Sequence, residues 1–237
     1  MDALRQAFRD IVHRIANASR AAGRPQPAGL LAVSKAQPAG RIRALAACGQ
    51  RAFGENYVQE ALAKQDALAD LTLEWHLIGH LQSNKAREAA TRFDWVQTLD
   101  RTKLVAALDR HRPPDRPPLN VLIQVNIDDE ASKSGCRPED VLPLAEAIAA
   151  APRLRLRGLM AIPAPHPDAG ARRASFRKVK ALYDRLATRH PHIDTLSMGM
   201  SEDFELAIAE GATLVRVGSA LFGPRQPREP EIGNRNP

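Results

Sequence analysis

Eight short apolar runs, each followed by a segment of helical periodicity, constrain this chain more than any other feature. They lie at 30–35 (LLAVSK), 51–55 (RAFGE), 74–79 (EWHLIG), 94–99 (DWVQTL), 119–127 (LNVLIQVNI), 154–162 (LRLRGLMAI), 195–200 (TLSMGM) and 213–218 (TLVRVG). Short apolar runs bounded by polar or glycine-bearing stretches read as strands, and apolar residues recurring three and four apart read as helices. Helical patterns fall around Ile42, Leu45 and Ala46 and at 57–69, 83–91, 101–110, 138–150, 171–189 and 202–210. An amphipathic helix at 2–22, with Leu4, Phe8, Ile11, Val12 and Ile15 on one face, precedes them all. Pro138 suits a first helical turn and Gly211 a position just past a helix end. Strands alternating with helices over 237 residues predict an α/β protein built as a single (β/α)8 barrel with an extra amino-terminal helix. A doubly wound open sheet is the alternative. The barrel is expected to span 1–225, with the proline-rich stretch HRPPDRPP at 111–118 a stiff surface loop. The polar remainder, 226–237, is expected to be a disordered tail.

Composition narrows the function classes. Of the chain's residues, 44% are hydrophobic and 26% charged, as in ordinary globular proteins able to build a core without staples. Two cysteines, Cys48 and Cys136, form no C-x-x-C pair, and no histidines cluster at zinc-ligand spacing. Neither a disulfide framework nor a structural metal is indicated, and a reducing cytoplasm is the expected compartment. The first residues lack the uninterrupted apolar core of a signal peptide, and no stretch reaches the roughly 18 apolar residues that span a bilayer. The net charge of +7 could suggest nucleic acid, but the basic residues are dispersed and only 4% of residues are aromatic, leaving few platforms for stacking bases. No membrane and no nucleic acid are therefore expected as partners.

In a barrel of this kind the functional groups sit at the carboxyl ends of the strands. The first strand runs out at Lys35, the second into Glu55 and Asn56. A lysine at the edge of a buried strand is partly desolvated, which favours the neutral amine, the form that attacks an aldehyde. Lys35 is thus a candidate for carrying pyridoxal phosphate. The loops after strands seven and eight commonly cradle a phosphate. There Ser201 can cap the helix beginning SEDFELAIAEG, while Gly218 and Ser219 offer backbone N–H groups and a hydroxyl. Arg216 shares the inward face with Gly218 and needs a partner, either the pyridine nitrogen of the cofactor or an inward carboxylate. His76 and His80 share a parity on the third strand but lack a third ligand, and SKSG at 132–135 lacks the spacing of a nucleotide-binding loop.

The blocks VSKAQP, FGENYVQE, WHLIGHLQSNK, NIDDEASKSG, IPAP and LSMGMSEDFELAIAEGATLVRVGSALFG resemble the pyridoxal phosphate homeostasis protein family, the YggS- or PROSC-like group. The similarity runs in order from about residue 4 to 225. It implies the amino-terminal barrel of alanine racemase, a fold-type III pyridoxal-phosphate barrel, with Lys35 matching the lysine that forms the internal aldimine. Asn56 matches a residue near the cofactor ring, Met200, Ser201, Gly218 and Ser219 match the phosphate site, and Arg216 matches the arginine facing the pyridine nitrogen. The chain departs from the commonest pattern at Ala36 and at Ser219, where threonine is frequent and serine keeps the hydroxyl.

The resemblance implies a monomeric protein that carries or buffers pyridoxal 5'-phosphate, maintains vitamin B6 and amino-acid and keto-acid balance, meets apo-enzymes transiently and has no assigned reaction. Opposite an arginine the cofactor is a weaker electron sink, and racemases that share this arginine add a second base from a further domain. The alternative is a racemase-like enzyme acting through Lys35 and a second base such as His80 or Lys133. Lys85 and Lys133 are further positive charges expected near the barrel mouth.

Overall fold

The computed structural model describes residues 2–128 and 134–223. The expected tail and Lys133 lie outside the described residues. Eight parallel strands close into a barrel in chain order: β1 (Gly29–Val33), β2 (Ala52–Glu55), β3 (Glu74–Leu77), β4 (Trp95–Leu99), β5 (Leu119–Val125), β6 (Leu154–Ala161), β7 (Thr195–Ser197) and β8 (Leu214–Val217). The closing seam pairs Leu31 with Arg216 and Ala32 with Val217. The α/β barrel predicted from the alternation is therefore the observed fold.

Helices α2 (Ala39–Ala46), α3 (Val58–Ala67), α4 (Ala86–Arg92), α5 (Thr102–His111), α6 (Val141–Ala149), α7 (Ala169–Arg189), α8 (Phe204–Ala209) and α9 (Ser219–Phe222) follow successive strands. The extra helix α1 (Asp2–Ala21) packs on α2, α8 and α9, burying Leu4, Ile11 and Ile15, with Val12 left exposed. Several strands are shorter than their apolar runs. The seventh ends at Ser197 rather than at 200, because the chain turns at Gly199, whose φ of 91° departs from strand geometry. The helix expected from 202 begins at Phe204, its start held by Asp203, whose carboxylate accepts the Met200 N–H at 2.7 Å.

The core between sheet and helices is continuous and apolar, as strands covered on both faces require. The lumen differs. Trp95, Leu122 and Met160 form a separate apolar cluster, while His76, Gln97, Ser197 and Arg216 form a polar one, all of them buried. At the rim the Arg157 guanidinium lies 4.6 Å over the Trp95 ring and pairs with Asp194. The 111–118 loop is tied down by buried Arg112, which donates to the carbonyls of Ala90, Phe93 and Pro117.

Gly158 pairs with Thr195 across β6 and β7. Its φ is 141°, and a Cβ there would lie 2.0 Å from the Thr195 carbonyl oxygen. Both the backbone conformation and the space exclude a side chain. Gly158→Ala is expected to destabilise the protein by about 3 kcal/mol or more, read as a lowered urea midpoint.

Candidate functional site

One cavity of about 360 Å³ opens at the carboxyl ends of the strands, within the usual range for small-molecule sites. Six of the seven predicted site residues line it: Lys35, Met200, Ser201, Arg216, Gly218 and Ser219. Asn56, the seventh, lies just past β2 and is not among the lining residues; its backbone packs under Gly79, where a Cβ would lie 2.1 Å from the Asn56 carbonyl oxygen. Met200 is 43% exposed at the rim. Ser201 does not cap the helix after it. Its hydroxyl oxygen instead accepts the Gly218 and Ala220 N–H groups, at 3.3 and 3.4 Å. Those amides begin α9, where the first turn has no acceptors of its own. Gly218 approaches β1 closely: a Cβ would sit 3.3 Å from the Val33 carbonyl oxygen and Cβ.

Lys35 is half-buried in the turn after β1 and lines the cavity. Its two neighbours are clamped from behind. Glu55 points away from the lumen, against the expectation that it reaches the barrel mouth, because strand alternation gives the inward place to Gly54. Glu55 accepts the Ser34 hydroxyl at 2.5 Å and the Lys64 ammonium at 2.8 Å. Lys64 also donates to the Ser34 carbonyl at 2.7 Å and to Glu60 at 2.7 Å, which spends its three N–H donors. Glu60 in turn accepts the Ala36 N–H at 2.5 Å. Ala36 has φ 60°, a left-handed conformation that costs an alanine about 1 kcal/mol. The clamp therefore holds the strained turn that presents Lys35. Burial raises the Glu55 pKa, opposed by the Lys64 charge.

Arg216 is 3% exposed and reaches the cavity from β8. The inward carboxylate expected as one possible partner is not what it meets: it donates to the Ser197 hydroxyl at 2.8 Å and to the Ala161 carbonyl at 2.9 Å. Burial pulls its pKa down to about 10, with Asp203 acting against that shift through space. Ser197 lies 2.7 Å from Gln97 Oε1, Gln97 Nε2 lies 2.9 Å from His76 Nδ1, and His76 Nε2 lies 2.8 Å from Glu74 Oε1. Because β4 and β7 are not neighbours in the sheet, the Ser197–Gln97 bond crosses the lumen. The direction of every bond follows from Arg216, which can only donate. Ser197 accepts from it and so gives its own proton to the Gln97 carbonyl. The Gln97 amide then faces Nδ1, which must accept. His76 is left protonated on Nε2, donating to Glu74.

The other predicted groups lie apart. His80 is exposed, its Nδ1 3.5 Å from the Ser134 hydroxyl, and is not a lining residue. Lys85 pairs with Glu88 at 3.6 Å. Among the described residues no group of three or more metal-ligating side chains occurs, and no helix is long and apolar enough to cross a membrane. Both cysteines are free, and burial pushes the Cys136 thiol up to about 12. Arg172, which no sequence signal singles out, lines the cavity from α7 with its Nε buried and without a partner among the described residues. Its position in a helical turn resembles that of the solvated arginines around it.

A parallel barrel with an amine after β1, a deep guanidinium on β8 and amide and hydroxyl donors beside it defines a class. The family described as alanine racemase, N-terminal domain, matches residues 8–226. The chain is 53% identical over 226 residues to the pyridoxal phosphate homeostasis protein of Pseudomonas aeruginosa, covering 95% of this chain and 97% of that one. It is 50% identical over 227 residues to the Escherichia coli protein of the same name, covering 91% and 97%. PipY of Synechococcus elongatus, solved with pyridoxal phosphate bound, superposes with a TM-score of 0.76 at 40% identity over 88% of this chain and 100% of PipY. Alanine racemase of Corynebacterium glutamicum, at 23% identity and a TM-score of 0.68 over 98% of this chain and 64% of that one, shares the fold. The chain belongs to the alanine racemase amino-terminal domain family and, within it, to the pyridoxal phosphate homeostasis proteins.

Two outcomes follow from this geometry. Lys64→Met leaves Glu55 buried without its cation and is expected to cost about 3–5 kcal/mol, with part recovered by adding Glu55→Gln, as read from urea unfolding. Burial also lowers the His76 pKa, against the pull of Glu74. The unfolded state then binds the imidazole proton more readily than the folded one, so this contribution to stability is present above about pH 6.5 and is lost as pH falls below it. Nitrogen NMR of the folded protein is expected to show His76 as the neutral Nε2–H tautomer at pH 7.

Proposed function

We propose that the protein binds pyridoxal 5'-phosphate in this cavity, held covalently by Lys35, and that it buffers or delivers the cofactor. The single observation that carries the reading is the convergence of an amine, a guanidinium and a set of amide and hydroxyl donors on one cavity. The residues fit the group on their own chemistry. The Ser201 hydroxyl, whose oxygen accepts the Gly218 and Ala220 N–H groups, and the Ser219 hydroxyl beside it are neutral donors suited to a phosphate. Arg172, lining the same cavity, has a buried N–H without an acceptor among the described residues, which an anion would satisfy. Gly218 lets that backbone approach, since a Cβ there would press on Val33.

The cofactor supplies an aldehyde that condenses reversibly with a primary amine, and Lys35 is the one lysine among the described residues that line this cavity. The Ser34–Lys64–Glu60 clamp orients it. Arg216 can donate but cannot accept, so it favours an unprotonated ring nitrogen and a weak electron sink. The names of the relatives support a carrier over an enzyme. A soluble partner that takes up the cofactor, such as an apo-enzyme, is part of the same reading, as are a monomeric state and a cytoplasmic location.

Purified protein mixed with pyridoxal phosphate is expected to gain a visible absorption band and, after borohydride reduction, a covalent adduct mapping to Lys35. Lys35→Ala is expected to show neither. An amino acid incubated with the loaded protein in deuterated water is expected to keep its α-hydrogen over the time an enzyme would need for many turnovers. Rapid exchange would replace the carrier with a racemase-like enzyme, and the lack of an adduct in the wild type would remove the cofactor altogether.

A further inference from the structure

Glu74 is the first residue of β3, at the amino-terminal rim of the barrel, and is about half exposed. The cavity lies at the opposite rim. Between them runs an unbroken chain of side chains in which each donor points the same way, from Arg216 through Ser197, Gln97 and His76 to Glu74. Aligned hydrogen bonds polarise one another, and in a buried lumen that effect is less screened than in water. A cation stands at one end of this chain and a carboxylate at the other.

Arg216 makes no ion pair within 4 Å among the described residues. Asp203 acts on it through space from the cavity side. An unpaired buried guanidinium is costly unless its donors are satisfied by strong acceptors. Ionised Glu74 draws the His76 proton toward itself, which makes Nδ1 a better acceptor. That strengthens the Gln97 contact and in turn the Ser197 oxygen as an acceptor for Arg216. The His76 ring is kept in line by Trp95, stacked at 5.0 Å with an interplanar angle of 10°. Because an arginine cannot accept, the donor direction along the link is fixed, while the coupling it carries between the two ends is reciprocal.

We propose that Glu74 is a remote counter-charge for Arg216, and that Ser197, Gln97 and His76 are positioning residues transmitting its influence across the lumen to the cavity. The inference rests on the cofactor reading only for its consequence: how firmly the guanidinium meets the ring nitrogen would then be set from the far rim of the barrel.

The first test uses the ligand-free protein. Glu74→Gln keeps a hydrogen-bond acceptor and removes the charge, and it is expected to shift and broaden the Arg216 side-chain nitrogen resonances, assigned with Arg216→Lys. Ser197→Ala cuts the chain at one hydroxyl, and in that background Glu74→Gln is expected to leave the Arg216 resonances where Ser197→Ala alone put them. Asp203→Asn, acting through space, is expected to shift them in both backgrounds. In the loaded protein, Glu74→Gln is expected to move the cofactor absorption band and weaken pyridoxal phosphate binding about fivefold, the lower end of coupling between distant sites.

Unchanged Arg216 resonances in Glu74→Gln, or an equal shift with and without the Ser197 hydroxyl, would overturn the proposal. If Ser197→Ala does not fold, Gln97→Met breaks the chain at the next link and serves the same comparison. A wild type that takes up no cofactor removes the binding function but leaves the ligand-free result to decide the chain.

Discussion

Closure of the barrel between β1 and β8 is the constraint on which the rest of the structure depends. It pairs Leu31 with Arg216 and Ala32 with Val217, two segments about as far apart in sequence as the fold allows. One residue beyond that register, the Gly218 backbone meets Val33. Lys35 on one side of the seam and Arg216, Gly218 and Ser219 on the other therefore share a cavity. A barrel that failed to close would leave the Lys35 amine and the Arg216 guanidinium on opposite edges of an open sheet. Parallel strands cannot be joined by tight turns, so each crossing helix contributes to the geometry that brings the two ends together.

Two polar networks are built around that seam, and they differ in what they hold. The cluster of Lys64, Glu55 and Glu60 lies outside the sheet, beneath α3, and fixes backbone: the Ser34 carbonyl and the Ala36 amide on either side of Lys35. The chain from Arg216 to Glu74 lies inside the sheet and fixes side chains. Polar groups at the centre of a small barrel displace apolar layers that would pack better. Here each link is satisfied by the next, so the lumen keeps its guanidinium without a carboxylate beside it.

The fold was legible because strand and helix periods are local properties of a sequence, and the alternation of the two admits few architectures. Lys35 was legible for the same reason: it stands where an apolar run stops. Gly218 and Ser219 could be read from their place after the last strand. Ser201 was read for its loop but not for its bond, because a serine before a helix looks like a cap while the unpaired amides of α9 come from a segment later in the chain. Glu55 has the local position of a mouth residue at the end of its strand, yet alternation with Gly54 turns it outward. Lys64 and Arg172 gave no signal, since a lysine or arginine on a helix has the same local pattern whether it meets water, a buried carboxylate or a cavity wall.

The sequence by itself determined the order of strands and helices, the point at which Lys35 leaves β1 and the donors available after β7 and β8. These depend on neighbours within a few residues. Only the tertiary structure decided that Ser197 meets Gln97 across the lumen, that Lys64 reaches behind Lys35, and that Arg216 is served by hydroxyl and carbonyl oxygens rather than by a carboxylate. Each of those pairings joins distant segments, and hydrogen bonds form over distances that only barrel closure fixes.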